Sequence, residues 1–160
     1  MSAHSEEEPG TLRAVFDTNV LIDSAVDPFS APARLLQAVR EGRITALATA
    51  ETVREYRKII KKMVPREEDR EELEELISTC RIVRPERVEI ELDDSDDMKF
   101  LQAAAGGQAD ILVTNDRHLL DVGEYGDVRI MRPTEAMALV EEGLEDNNEW
   151  TGWVKGLGIG

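Results

Sequence analysis

The sequence predicts an α/β fold with a central, mainly parallel sheet covered by helices on both faces, three layers in all. Three observations predict it. Short apolar runs recur at 13–16, 44–48, 111–114 and 128–131. Stretches with apolar residues at helical spacing lie between them. Strand and helix signals alternate from residue 13 to 142, the pattern of crossover-connected parallel strands. A chain of 160 residues with 41% hydrophobic content suits one compact core.

Residues 1–12 read as a disordered lead, with Glu6, Glu7 and Glu8 in a row. The run 13–16 (RAVF) is the first strand, ending at Asp17. Ser30, Ala31 and Pro32 open a helix over 33–41, with Gly42 as its stop. The second strand is 44–48 (ITALA). A helix over about 51–63 follows, carrying Val53, Tyr56, Ile60 and Met63 at helical spacing, and Pro65 breaks it. The helix 67–80 is acidic outside and carries Leu73, Leu76 and Ile77 inside. Ile82 and Val83 form a short strand, and Val88, Ile90 and Leu92 alternate as an extended segment. Ser95 or Asp96 caps a helix through Ala105, which Gly106 and Gly107 end. The buried strand 111–114 (ILVT) leads into a helical turn over 116–122. The last strand is 128–131 (VRIM), and Pro133 starts a closing helix over 134–142. The domain therefore spans 13–142, and 143–160 forms a tail with Trp150 and Trp153.

The net charge of −15 disfavours nucleic-acid binding driven by overall charge, so a phosphate-bearing substrate needs a local basic patch or a metal. Arg outnumbers Lys 14 to 5. The acid excess reads either as adaptation to a salt-rich cytoplasm or as plain acidity. No apolar run reaches 18 residues, so no membrane span is expected. The opening MSAHSEEEPG lacks the features of a secretory signal, and the single Cys80 makes no internal disulfide. The expected compartment is the cytoplasm.

Sites in open parallel sheets gather at the C-terminal ends of strands. Two apolar runs end in an acid there, Asp17 and Asp116. Asp97 lies in the first turn of its helix, and Glu55 on the helix after the second strand. Each has an ordinary explanation alone, as a turn residue, a cap, a dipole partner or a solvated acid. Their combination is the signal. Asp17-Thr18-Asn19-Val20-Leu21, Glu55 in ETVREY, Asp97-Met98-Lys99-Phe100-Leu101-Gln102-Ala103-Ala104 and the run from Ala109 through Leu120 occur in that order. They resemble the PIN-domain nuclease family, in the branch of toxin components of toxin–antitoxin systems, and more distantly the virulence-associated protein C toxins. The resemblance covers about 13–142.

The resemblance implies that Asp17, Glu55, Asp97 and Asp116 form one acidic pocket. It implies an endoribonuclease that leaves a 5′-phosphate and a 3′-hydroxyl, with a small antitoxin as partner. The expected cation is Mg²⁺ or Mn²⁺, since clustered carboxylates repel by up to ~4 kcal/mol per pair at 4 Å and hard oxygen ligands suit these ions. Asp17, Asp97 and Asp116 are expected to hold it, and Glu55 to hold it or to position water. Many relatives carry a further acid where this chain has His118. His118 reads as a surface residue, and zinc has no ligand set because His4 and Cys80 lie far from it in sequence.

Thr18, Thr114 and Asn19 are supporting candidates, able to orient an acid or a phosphate. Arg54, Lys58, Lys61 and Lys62 project together on one helix and form a candidate RNA-contacting stripe. The stripe alternatively pairs with the acidic helix 67–80 of this chain or of a second subunit in a homodimer. A second reading is a PIN domain without useful catalysis, acting as an RNA-binding or assembly module. Phosphatase and receiver readings fit poorly: a haloacid-dehalogenase-type phosphatase needs an Asp at position 19, which is Asn.

Overall fold

The computed structural model describes residues 11–92 and 95–145. The expected lead, apart from its last two residues, and both tryptophans lie outside them.

Among the described residues, six strands form one sheet in the order β3-β2-β1-β4-β6-β5. Its centre is β1 (Leu12–Phe16), which pairs in parallel with β2 (Ile44–Ala48) on one side and β4 (Ile111–Val113) on the other. Beyond β2 lies β3 (Arg81–Ile82), and beyond β4 lies β6 (Val128–Met131), both parallel to their neighbours. Only β5 (Glu124–Tyr125) runs antiparallel, at the edge. β1 and β4 carry almost continuous apolar sequence because the three-layer α/β/α arrangement buries them on both faces.

The strand order reverses direction between β1 and β4. The chain first builds outward through β2 and β3, then crosses back to β4 and builds outward on the other side. Such a switch point leaves a crevice at the C-terminal ends of the two central strands. Asp17 stands at one lip, and the loop 114–116 at the other.

The seven helices among the described residues are α1 (Thr18–Val26), α2 (Ala31–Arg40), α3 (Ala50–Met63), α4 (Glu67–Ser78), α5 (Met98–Gly107), α6 (Arg117–Val122) and α7 (Pro133–Glu145). Ser30 caps α2 by accepting the Ala33 N–H at 3.3 Å. Thr49 and Thr52 close a reciprocal capping box at the start of α3. No helix among the described residues is long and apolar enough to cross a membrane.

Several local readings change. β1 opens at Leu12, which is fully buried, so the domain takes in the last residue of the expected lead. α7 continues three residues past 142. The 88–92 segment joins no strand among the described residues, although Val88 is buried. Gly106 and Gly107 lie inside α5 and do not end it; Gln108, in the left-handed region at φ 53°, is its C-cap. The two glycines serve packing. A Cβ at Gly106 would stand 1.8 Å from the Arg84 carbonyl oxygen, and one at Gly107 would stand 2.9 Å from Leu47 Cδ1.

Candidate active site

The two strand-end acids are both helix caps. Asp17 caps α1, its Oδ1 accepting the Asn19 N–H at 3.3 Å. Asp116 caps α6 in the same way, its Oδ1 accepting the His118 N–H at 2.8 Å. Each cap satisfies one of the free amides at a helix start and holds the carboxylate at the sheet edge.

Thr114 joins the two. Its hydroxyl donates to Asp17 Oδ2 at 2.7 Å, and its Oγ1 accepts the Asp116 N–H at 2.9 Å. A fully buried threonine thus fixes both acids relative to one another across the switch point. Asn19 and Asn115 are both exposed. The Asn19 backbone, through the cap, is the part that meets Asp17.

Asp97 ends the 3₁₀ turn Ser95–Asp97 that leads into α5 and is only 6% exposed. It meets Asp116 through His118. His118 Nδ1 lies 3.5 Å from Asp116 Oδ1 and 4.0 Å from Asp97 Oδ2. One ligating atom from each of Asp97, Asp116 and His118 lies within 4.8 Å of the others. His118, read from sequence as a surface residue, therefore belongs to the pocket, though its side chain keeps 48% exposure. Its signal was present in the chain, two residues after a strand-end acid.

Glu55 comes to the same pocket from α3 but is otherwise engaged. Thr18 donates its hydroxyl to Glu55 Oε2 at 2.7 Å. Lys99, from the first turn of α5, makes a close ion pair with Glu55 Oε1. The Lys99 ammonium also lies 3.8 Å from Asp96 and 5.9 Å from the centre of the Phe100 ring. Sequence reasoning did not single out Lys99, although it stands two residues after Asp97. The next residue on α3, Tyr56, donates its hydroxyl to the Phe16 carbonyl and stacks with Phe100, ring centroids 6.4 Å apart. It ties α3 and α5 to the end of β1, one residue before Asp17.

Burial raises the Asp17 carboxyl above its ordinary value. The Thr114 and Asn19 hydrogen bonds pull it back down, and the charges of Asp116 and Glu55 push it up again. A carboxyl raised on folding contributes stability that is present in full below its unfolded value and is lost as pH rises through the folded one. Uncompensated, Asp17 therefore opposes folding at neutral pH. In chelator, the melting temperature of Asp17→Asn minus that of the wild type should be more positive at pH 7 than at pH 4. An equal difference at both pH values would show that Asp17 is not strained by its surroundings.

The basic side chains of α3 and the loop after it fall into two groups. Arg54, Lys58, Lys61 and Lys62 are exposed on α3. Arg57 pairs with Glu74 of α4 at 2.8 Å, and Arg66 with Glu68 at 2.9 Å, so part of the positive charge meets the acidic helix of the same chain.

The donors fit a divalent ion. An octahedral ion with bonds of about 2.1 Å holds its donors about 3 Å apart in cis and about 4.2 Å in trans, so adjustments of about an ångström bring Asp97, Asp116 and His118 into one coordination sphere. Binding to the native state alone should stabilise it by about 2.7 kcal/mol at 100 times Kd. Melts with Mg²⁺ or Mn²⁺ should exceed melts in NaCl of equal ionic strength with chelator. If NaCl gives the whole shift, screening of the acidic surface accounts for it.

An open, mainly parallel sheet with acids gathered at its switch point is an arrangement compatible with a divalent cation. Residues 13–118 match the family described as PIN domain, and the chain belongs to that family. PIN domains are generally metal-dependent nucleases. The chain matches none of the curated proteins compared with it.

Proposed function

We propose that the protein is a Mg²⁺- or Mn²⁺-dependent endoribonuclease and the toxin of a toxin–antitoxin pair, acting in the cytoplasm. The observation that carries this reading is the Thr114 bridge, which joins Asp17 to the loop of Asp116, the acid that Asp97 and His118 approach. In this reading Asp17, Asp97 and Asp116 hold the cation, and Thr114 and the two helix caps orient their oxygens. A bound divalent ion would lower the pKa of a water and offset charge on the scissile phosphate. Glu55, held by Thr18 and Lys99, positions the attacking water or a ligand water and is not a direct ligand. Arg54, Lys58, Lys61 and Lys62 supply the local positive charge that a chain of net charge −15 needs to receive RNA phosphates. Val26 and Phe29, exposed at the end of α1 and the loop after it, offer apolar surface to a protein partner such as an antitoxin.

The engagement of Glu55 by Lys99 favours a second reading, an RNA-binding PIN domain without useful catalysis. Labelled RNA incubated with the purified chain separates the two. The enzyme cleaves it with Mn²⁺ or Mg²⁺, leaves 5′-phosphate ends and stops in chelator. Retention of intact RNA by the metal-loaded protein, with no cleavage across varied sequences, favours the module. The toxin role predicts growth arrest on induced expression, relieved by co-expression of a small neighbouring reading frame.

A further inference from the structure

We propose that His118 is a metal ligand through Nδ1, and that this nitrogen makes the site select a first-row transition ion such as Mn²⁺ over Mg²⁺. The inference rests on the reading of Asp97 and Asp116 as ligands given above and names the ion they take.

The geometry begins at the cap. Asp116 Oδ1 accepts the His118 N–H at 2.8 Å, which fixes the histidine backbone against the acid. The imidazole then turns back over the cap, and Nδ1 lies 3.5 Å from Asp116 Oδ1 and 4.0 Å from Asp97 Oδ2. Asp97 is carried by a different element, the turn before α5, and is buried. Three donors from two distant parts of the chain thus converge within 4.8 Å, one of them a nitrogen.

Donor chemistry decides the ion. Mg²⁺ prefers oxygen ligands and gives up its waters reluctantly, whereas imidazole suits the first-row transition ions. An aspartate here would add a hard, negative oxygen. Histidine adds a neutral donor and leaves the pocket one negative charge fewer, which weakens hold on Mg²⁺ more than on Mn²⁺. The half-exposed ring leaves the remaining coordination positions open to water and to a phosphate oxygen.

The test uses the full chain with Mn²⁺ alone as probe. Pulsed electron paramagnetic resonance on bound Mn²⁺ should show coupling to ¹⁴N, lost in both His118→Ala and His118→Asp. Calorimetric titration should show the preference for Mn²⁺ over Mg²⁺ falling about tenfold in His118→Asp, the scale of losing a site-tuning group. Asp116→Asn serves as the reference. Mn²⁺ that binds wild type no better than Asp116→Asn overturns the acid site, and this inference with it. A Mn²⁺ site that Asp116→Asn abolishes but that shows no ¹⁴N coupling, or an unchanged ion preference in His118→Asp, overturns the inference alone.

Discussion

Asp116→Asn should lower RNA cleavage at least ~100-fold, the scale of a misplaced catalytic group, and leave the fold intact. The fold is expected to hold because Asn caps helices as well as Asp, and its side-chain oxygen can still accept the His118 N–H. The backbone N–H that binds Thr114 Oγ1 is untouched. What goes is a negative donor between His118 and the Thr114 bridge. Without metal the melting temperature should stay level or rise, because the Asp116 charge is one of those that burden Asp17. The comparison is made at saturating Mn²⁺. Cleavage at the wild-type rate would place the activity outside this pocket or in a contaminant.

Gly106→Ala should destabilise the protein by about 3 kcal/mol, at the upper end of overpacking costs. The new methyl would stand 1.8 Å from the Arg84 carbonyl oxygen and 2.9 Å from the Glu86 nitrogen. Neither is the loose end of a side chain, so the 84–86 backbone itself must retreat from α5. That movement strains the Glu86 N–H to Gln102 carbonyl bond, 3.0 Å long. For a domain of this size the loss is a fall of roughly 6–12 °C in melting temperature. Gly42→Ala is the control, since open space surrounds that position and only its φ of +80° is strained. Its cost should be about 1 kcal/mol. If Gly106→Ala costs no more than Gly42→Ala, the close approach of α5 to the 84–86 loop is not maintained in solution.

The strands of the sheet centre were legible because burial on both faces leaves short, almost continuously apolar runs. The segment 44–48 is read to the residue, and 111–113 differs only in losing Thr114 to the loop. Two elements were not legible. α1 begins at Thr18 and Asn19, poor helix formers, and its apolar residues mix Val, Leu and Ile without a clear face. Its helicity comes from the Asp17 cap and from burial of Val20 and Leu21. β5 is two residues long and exists through its pairing with β6. Within the pocket, Asp17 and Asp116 were visible at strand ends. The Thr18 hydroxyl bond to Glu55 spans 37 positions, and the Lys99 pair with Glu55 spans 44. No local pattern encodes contacts of that separation, so the occupation of Glu55 emerges only from packing.

The bond from Thr114 to Asp17 spans 97 positions of the chain, and it crosses the seam where β1 meets β4. Synthesis delivers β1 early and β4 only after two outer strands and the helix α5 have emerged. Contacts of such separation close late, after the entropy of a long loop has been overcome. A nascent chain halted before Ile111 already contains Asp17, Glu55 and Asp97, yet β1 has no neighbour on that side and its acid has no hydroxyl to steady it. The pocket thus comes into being with the last third of the polypeptide, and fragments released early from the ribosome carry three of its acids without Asp116 and without the hydroxyl that steadies Asp17.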